Sequence, residues 1–117
     1  MPAGVPLVVY VDVGETLVRN HGRARLPMPA VIRPVRELHA QGAVLSCWCW
    51  SSGGAAYARE SAREVGLEAV FLAFLPKPMV LLDDQAVGTW RCLLQAHPNA
   101  ADGQTVEDSC DLVRPRQ

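Results

Sequence analysis

Apolar runs separated by helix-like segments are the feature that most constrains the fold of this chain. Four apolar runs, the first filled with β-branched and aromatic side chains, are predicted to be strands: residues 6–12, 43–50, 69–74 and 79–83. Three segments with helix formers or apolar residues at helical spacing are predicted to be helices: residues 30–41, 55–65 and 86–96. Strands that alternate with helices favour parallel pairing through crossover connections. The sequence therefore predicts an α/β domain.

The length and the turn residues set the expected domain boundaries. The chain has 117 residues, which is enough for one domain with one core. The polar and basic residues 18–28 are expected to form a loop or a small hairpin. We expect the domain to occupy residues 1–97. Residues 98–117 are polar, charged and Pro-containing, which is typical of a tail that is ordered only when it docks.

Composition argues against several classes of function and partner. The net charge of -1 gives no general footprint for nucleic acid. No apolar stretch approaches the ~20 residues of a membrane span, and no basic region precedes the first apolar run as in a signal peptide. The four cysteines form no Cys-x-x-Cys pair. We therefore expect a cytoplasmic protein with reduced thiols and no membrane partner.

Polar residues follow the ends of three predicted strands. Asp12, Ser51 and Asp83 each come at or directly after the end of an apolar run. In open α/β sheets the ligand lies outside the carboxyl ends of the strands. Segments that are far apart in sequence are thus expected to converge on one site.

The residue types at these positions are those that phosphoryl transfer needs. Asp12 is the candidate nucleophile, since a carboxylate can attack phosphorus and form an aspartyl-phosphate. Ser51 can donate a hydrogen bond to a phosphate oxygen, and Lys77, the sole lysine of the chain, can neutralise the transferring group. Asp83 and Asp84 offer hard oxygen ligands that would hold Mg²⁺ together with Asp12. Together, these residues in this order along the chain predict a phosphoryl-transfer site.

Each feature alone has a simpler explanation. An aspartate at a strand end often caps a turn, and the run 51–54 is ordinary for a turn or a helix N-cap. A single lysine can reflect an Arg-rich composition, and the acid pair at 83–84 can be a solvated turn. The complete set, in this order after apolar runs, is more specific than any of its members.

The ordered set resembles the motifs of the haloacid dehalogenase superfamily of Asp-nucleophile phosphohydrolases. Asp12 matches the nucleophile of the first motif, and Thr16 matches the end of that motif. Ser51 matches the second motif, Lys77 the third, and the acid pair 83–84 the fourth. The resemblance covers roughly residues 6–97. It is particularly similar to small capless phosphatases with a Trp-Ser-Ser-Gly-Gly second motif.

This resemblance implies a fold and a cofactor. The fold would be a three-layer Rossmann-like parallel sheet with strand order 3-2-1-4 and no cap domain. The cofactor would be Mg²⁺, with the backbone carbonyl of Gly14 as a ligand beside Asp12, Asp83 and Asp84. Ser52 would join Ser51 and Lys77 in binding the phosphate.

Gly14 departs from the pattern of the family. At this position the family's phosphatases carry a second aspartate, which protonates the leaving group and then activates water. Glycine keeps the carbonyl but transfers no proton, and loss of general acid–base catalysis typically costs ~10²–10⁴ in rate. Glu15 is expected to be a poor substitute because adjacent side chains differ in direction. The predicted function is Mg²⁺-dependent phosphomonoester hydrolysis, weakened or abolished by Gly14; the alternative is an inactive metal- or phosphate-binding or regulatory module.

The partner class stays open. No segment between the motifs is long enough for a cap domain, so dehalogenation, which needs a capped apolar pocket, is disfavoured. A receiver domain is rejected because its acid pair follows the first strand. An open site admits a phosphorylated small molecule or macromolecule, or is closed by a second subunit in a homo-oligomer.

Two further features have alternative interpretations. The basic loop with Arg19, Arg23 and Arg25 either attracts an anionic substrate or is a solvated loop, and we favour the solvated loop. Cys47 and Cys49 alternate with tryptophans on a predicted strand, which favours a place in the core over metal binding.

Overall fold

A computed structural model describes residues 6–50, 54–90 and 93–98. The elements in chain order are β1 (Val8–Asp12), β2 (Val18–His21), β3 (Ala24–Pro27), α1 (Pro29–Ala40), β4 (Val44–Cys49), α2 (Gly54–Glu64), β5 (Ala73–Pro76) and a 3₁₀ turn at Val87–Thr89.

Three parallel strands form the central sheet, in the order β1-β4-β5. Asp12 at the end of β1 pairs in register with Trp48 of β4, and Trp48 pairs with Leu75 of β5. The middle strand β4 is the most buried, as expected for a strand with neighbours on both sides. The parallel register brings the carboxyl ends of β1, β4 and β5 to the same edge of the sheet.

Both helices contribute to the core on one face of this sheet. Val31 and Val35 of α1 and Ala58 of α2 are buried in one cluster with the sheet residues Leu45 and Cys47. Alternate residues of a strand share a face, so Leu45 and Cys47 lie on the helix-covered face. Pro29 starts α1 at a position where its missing N–H costs no helical hydrogen bond.

The opposite face of the sheet is only partly covered by the described residues. Val8 is 60% exposed and Tyr10 is 49% exposed. The ring of Tyr10 packs edge-on against the half-buried Trp48, with 4.7 Å between the ring centroids. In the described part of the chain, the central sheet and the helices that pack on it therefore form two layers.

The expected three-layer Rossmann-like sheet with strand order 3-2-1-4 is wrong. The sheet has three strands, a separate two-stranded antiparallel sheet holds β2 and β3, and two helices complete the described part of the chain. No strand forms over 79–83, where the side chains are exposed and Leu82 is 94% exposed. The apolar run predicted burial, but a strand also needs a ladder partner and a face to pack on.

Other boundaries differ by a few residues or are confirmed. The predicted hairpin is β2–β3, whose turn includes Gly22 in the left-handed region at φ 61°. The first two predicted helices are confirmed as α1 and α2. The third predicted strand begins later, at Ala73, and the described residues of the third predicted helix hold only the 3₁₀ turn. The predicted tail lies, apart from Pro98, outside the described residues.

Within the described ranges, no helix is both long and apolar enough to cross a membrane.

Candidate active site at the carboxyl edge of the sheet

Asp12 and Lys77 meet at the carboxyl edge of the central sheet. Asp12 is the last residue of β1, and Lys77 directly follows β5. Lys77 Nζ lies 3.4 Å from Asp12 Oδ1, and the two side chains are 23% and 28% exposed. The candidate nucleophile and the sole lysine of the chain are thus in direct contact while both stay open to solvent.

Lys77 is held by two further contacts with the end of β4. Its backbone N–H donates a hydrogen bond to the carbonyl oxygen of Cys49. Its ammonium group lies over the indole of Trp50, with Nζ 4.4 Å from the ring centroid. Such a cation–π contact is electrostatically attractive and restricts the flexible lysine side chain. The lysine is therefore oriented before any ligand binds.

Trp50 is a site residue that the sequence reasoning missed. The apolar run predicts that Trp50 ends a buried strand, but β4 ends at Cys49 and Trp50 is 63% exposed. The available signal was its place directly before Ser51, at the end of an apolar run. Ser51 and Ser52, predicted to bind phosphate, lie outside the described residues.

The turn after β1 gives Gly14 and Glu15 different surroundings. Glu15 has a positive φ of 56°, and its carboxylate accepts a hydrogen bond from the Asn20 backbone N–H at 3.3 Å. The same carboxylate lies 3.8 Å from Arg19 Nε. Gly14 is exposed, and a Cβ there would meet no neighbouring atom within 4 Å. Glu15 is thus engaged by the hairpin, while position 14 has room for a side chain.

The acid pair predicted to bind Mg²⁺ lies in an exposed segment. Asp83 and Asp84 are both exposed, and Asp83 Oδ1 accepts a hydrogen bond from the Gln85 backbone N–H at 2.9 Å. Across the described ranges, no group of three or more His, Cys, Asp or Glu is placed to hold a metal ion. The predicted donor set of Asp12, the Gly14 carbonyl and the acid pair therefore does not fit Mg²⁺ in this arrangement.

Cys47 and Cys49 are buried beside the site, as predicted. Burial, followed by the charges of Cys49 and Asp12, raises the pKa of the Cys47 thiol to about 12. Burial, followed by the charge of Asp12, also raises the pKa of Cys49, whose Sγ donates a hydrogen bond to the Gly54 carbonyl at 3.0 Å. Both thiols are neutral at neutral pH, so neither is an activated nucleophile.

Arg25 fastens the hairpin to α2. Its Nη2 donates a hydrogen bond to Ser61 Oγ at 2.8 Å, and its Nε lies 3.2 Å from Glu64 Oε2. Its guanidinium also lies over the ring of Tyr57, 5.1 Å from the centroid. The interpretation of the whole 19–25 loop as solvated is thus wrong for Arg25, whereas Arg19 and Arg23 are exposed.

A separate cavity of about 430 Å³ lies between α2 and Phe74. Its lining includes Arg59, Glu60 and Arg63 but neither Asp12 nor Lys77. It is therefore not part of the carboxyl-edge site.

The fold and the site define a small α/β domain with an aspartate–lysine pair at the carboxyl edge of a parallel sheet. The chain belongs to the family described as Protein of unknown function (DUF705), whose family model matches residues 1–78. It is 35% identical over 68 residues to an uncharacterized 38.0 kDa protein in the P143-LEF5 intergenic region of Autographa californica nuclear polyhedrosis virus. The match covers 58% of this chain and 21% of the viral protein, so the chain spans about a fifth of that relative's length. No solved structure matches the chain.

The family assignment corrects the resemblance to the haloacid dehalogenase superfamily. The matching family is DUF705 and not a haloacid dehalogenase family. The resemblance rested on four short motifs, and its fourth motif falls on the exposed acid pair at 83–84. Acids and hydroxyls at strand ends are common to many α/β proteins, because that edge is where such folds place ligands.

Proposed function

We propose that this chain hydrolyses phosphomonoesters through an aspartyl-phosphate on Asp12. The observation that carries the proposal is the 3.4 Å contact between Asp12 and Lys77 at the carboxyl edge of the sheet. A carboxylate that attacks a phosphate dianion faces strong repulsion, and a fixed cation beside it lowers that barrier. The pair therefore supplies a nucleophile together with the charge that the reaction requires.

The chemistry has two steps. Asp12 Oδ attacks phosphorus, the bond from phosphorus to the ester oxygen breaks, and its electron pair leaves with that oxygen. Water then attacks the aspartyl-phosphate, which releases inorganic phosphate and restores the carboxylate. Lys77 neutralises the phosphoryl oxygens in both steps as a compact point charge. Ser51 and Ser52 remain predicted donors to these oxygens.

Mg²⁺ dependence, the substrate class and the location rest on the sequence more than on the geometry. Mg²⁺ dependence remains a prediction, since the acid pair at 83–84, which would supply two of the ligands, lies in an exposed segment. The substrate is a phosphorylated small molecule or macromolecule. A cytoplasmic location is supported by the free thiols of Cys47 and Cys49, which suit a reducing compartment.

Gly14 favours a second candidate function, a phosphate-binding or regulatory module without turnover. A general acid two residues after the nucleophile would protonate the leaving oxygen, and glycine has no group for this. Glu15 is engaged by Arg19 and Asn20 instead. Such a module would bind the phosphate at Asp12 and Lys77 and release it unchanged.

Hydrolysis of an aryl phosphate by three proteins separates these functions. The proteins are the native chain, Gly14→Asp and Asp12→Asn, each assayed with and without Mg²⁺. The space around Gly14 admits the new carboxylate, so this variant should fold normally. Turnover by the native chain that Asp12→Asn abolishes supports the hydrolase. Turnover by Gly14→Asp but not by the native chain supports the binding module. If the native chain and Gly14→Asp both fail to hydrolyse the substrate, the proposed activity is overturned.

A further inference from the structure

We propose that Trp50 is a stacking surface that selects aryl phosphates, in which an aromatic ring is bonded directly to the ester oxygen. This inference rests on the proposed function and names the substrate class of the same site. It assigns a specificity role to Trp50, to which the sequence analysis gave no function of its own.

The position of Trp50 is the first argument. Trp50 is 63% exposed, although burial of an aromatic side chain is favourable, and its indole lies beside the reacting groups. Lys77 Nζ lies 4.4 Å from the indole centroid and 3.4 Å from Asp12 Oδ1. A phosphoryl group held by Lys77 and facing Asp12 therefore lies within one ring's length of the indole. The ring of an aryl ester can reach the indole, whereas a sugar placed between phosphate and base would carry the base farther away.

The leaving group gives the second argument, which also rests on the proposed function. Position 14, two residues after Asp12, is a glycine, so the ester oxygen gains no proton from a side chain there. A phenol has a pKa of about 10, as the tyrosine side chain does, so its anion leaves far more readily than an alkoxide. The site thus favours the same substrates for turnover that the indole favours for binding.

The reaction of such a substrate is balanced without a further reactant. Asp12 Oδ forms a bond to phosphorus as the phosphorus–oxygen bond breaks, and the electron pair leaves on the phenolate. Water then attacks phosphorus, one of its protons is taken up by the phenolate, and inorganic phosphate departs. The products are a phenol and phosphate, and Asp12 returns as a carboxylate.

Calorimetric binding of two phosphonates tests the inference without any turnover. Phenylphosphonate and cyclohexylphosphonate have similar size, and the carbon–phosphorus bond of both resists hydrolysis. They are compared at a pH at which both are dianions, so that charge does not differ between them. Offset stacking adds a modest energy beyond burial, so we expect the native chain to bind phenylphosphonate about three- to tenfold more tightly. Trp50→Leu should remove this preference, and Trp50→Phe, which restores a ring, should recover part of it.

Tyr57 provides a matched control. It is also exposed with a cation over its ring, but that cation is Arg25 of the hairpin. Tyr57→Leu should leave the ratio of the two affinities unchanged.

A phosphonate analogue of a phosphotyrosyl peptide tests whether the aryl group of the substrate belongs to a protein or to a small molecule. Tighter binding of this peptide than of phenylphosphonate assigns the aryl group to a protein side chain. Weaker binding assigns it to a small molecule.

The outcomes separate the two proposals. Equal affinity of the native chain for both phosphonates, or a preference that survives in Trp50→Leu, overturns the role of Trp50 and leaves the phosphate site intact. Absence of binding for both phosphonates overturns the proposed function and this inference together.

Discussion

Asp12 and Lys77 form an ion pair that is partly open to water. Because of this exposure, we expect the pair to contribute little to stability even though the proposed activity requires it. Exposed or partly exposed pairs typically contribute ~0–1 kcal/mol because water and salt screen them. We predict that Asp12→Asn lowers the free energy of unfolding by no more than about 1 kcal/mol while abolishing turnover. Urea unfolding and the aryl phosphate assay measure the two effects. A loss of stability above about 3 kcal/mol would indicate that the pair is structural.

The buried thiol of Cys47 makes the free energy of unfolding depend on pH in the alkaline range. Its folded pKa of about 12 lies above its ordinary value of 9.0, so the unfolded chain loses the thiol proton first. The stabilisation from keeping this thiol protonated in the folded chain is fully present below pH 9.0. It is lost as the pH rises towards about 12, by at most about 1.4 kcal/mol of unfolding free energy per pH unit. Urea unfolding of the native chain and of Cys47→Ala across this range should give a shallower decline for the variant. Parallel curves would contradict the assignment, because other groups would then cause the decline.

The residues of the site differ in how far the sequence predicted them. Asp12 and Lys77 were predicted because both adjoin apolar runs that became strands of one parallel sheet, β1 and β5, on either side of β4. The acid pair at 83–84 followed a similar run, but that run has no ladder partner among the described residues. Trp50 was missed because apolar character alone does not distinguish the last buried residue of a strand from the first exposed one after it.

At the scale of elements, Arg25 of the β2–β3 hairpin makes three contacts with α2. Arg25 donates to Ser61 Oγ, whose side chain is fully buried, and also contacts Glu64 and Tyr57. We predict that Arg25→Ala lowers the free energy of unfolding by about 1–3 kcal/mol, since a buried hydroxyl loses its charged partner. Arg23→Ala, at the exposed hairpin turn, is the control and should change it by less than about 0.5 kcal/mol.

Amide hydrogen exchange locates the effect of the Arg25 substitution. Faster exchange in β2 and β3, with little change in β4, is the expected pattern for a detached hairpin. Uniform acceleration across all strands would show that Arg25 supports the whole core instead.

The elements that could be predicted were those with two agreeing local signals. α1 combined a starting proline with apolar residues at helical spacing, and the hairpin combined polar residues with a glycine at its turn. β5 was placed too early because Val70 and Phe71 are apolar, yet they lie before the strand, where Val70 is half-buried and Phe71 is buried. Tertiary packing, which a local pattern does not contain, decided between these positions.

At the scale of the whole molecule, the two-layer arrangement gives two leucines very different degrees of burial. Leu45 on β4 is 1% exposed, whereas Leu82 in the predicted fourth strand is 94% exposed. We predict that Leu45→Ala lowers the free energy of unfolding by about 2–5 kcal/mol and that Leu82→Ala changes it by less than about 0.5 kcal/mol. Urea unfolding of the two variants measures this contrast. A large loss for Leu82→Ala would show that the segment 79–83 packs in the core after all.

The measurement that tests the central claim most directly is mass spectrometry of the acid-quenched reaction with an aryl phosphate. Acid slows the hydrolysis of an aspartyl-phosphate, so a trapped intermediate adds one phosphoryl group to the peptide that contains Asp12. The account predicts this added mass in the native chain or in Gly14→Asp, and its absence in Asp12→Asn. Turnover without a phosphorylated Asp12 peptide, or the same added mass in Asp12→Asn, would contradict the claim that Asp12 is the nucleophile.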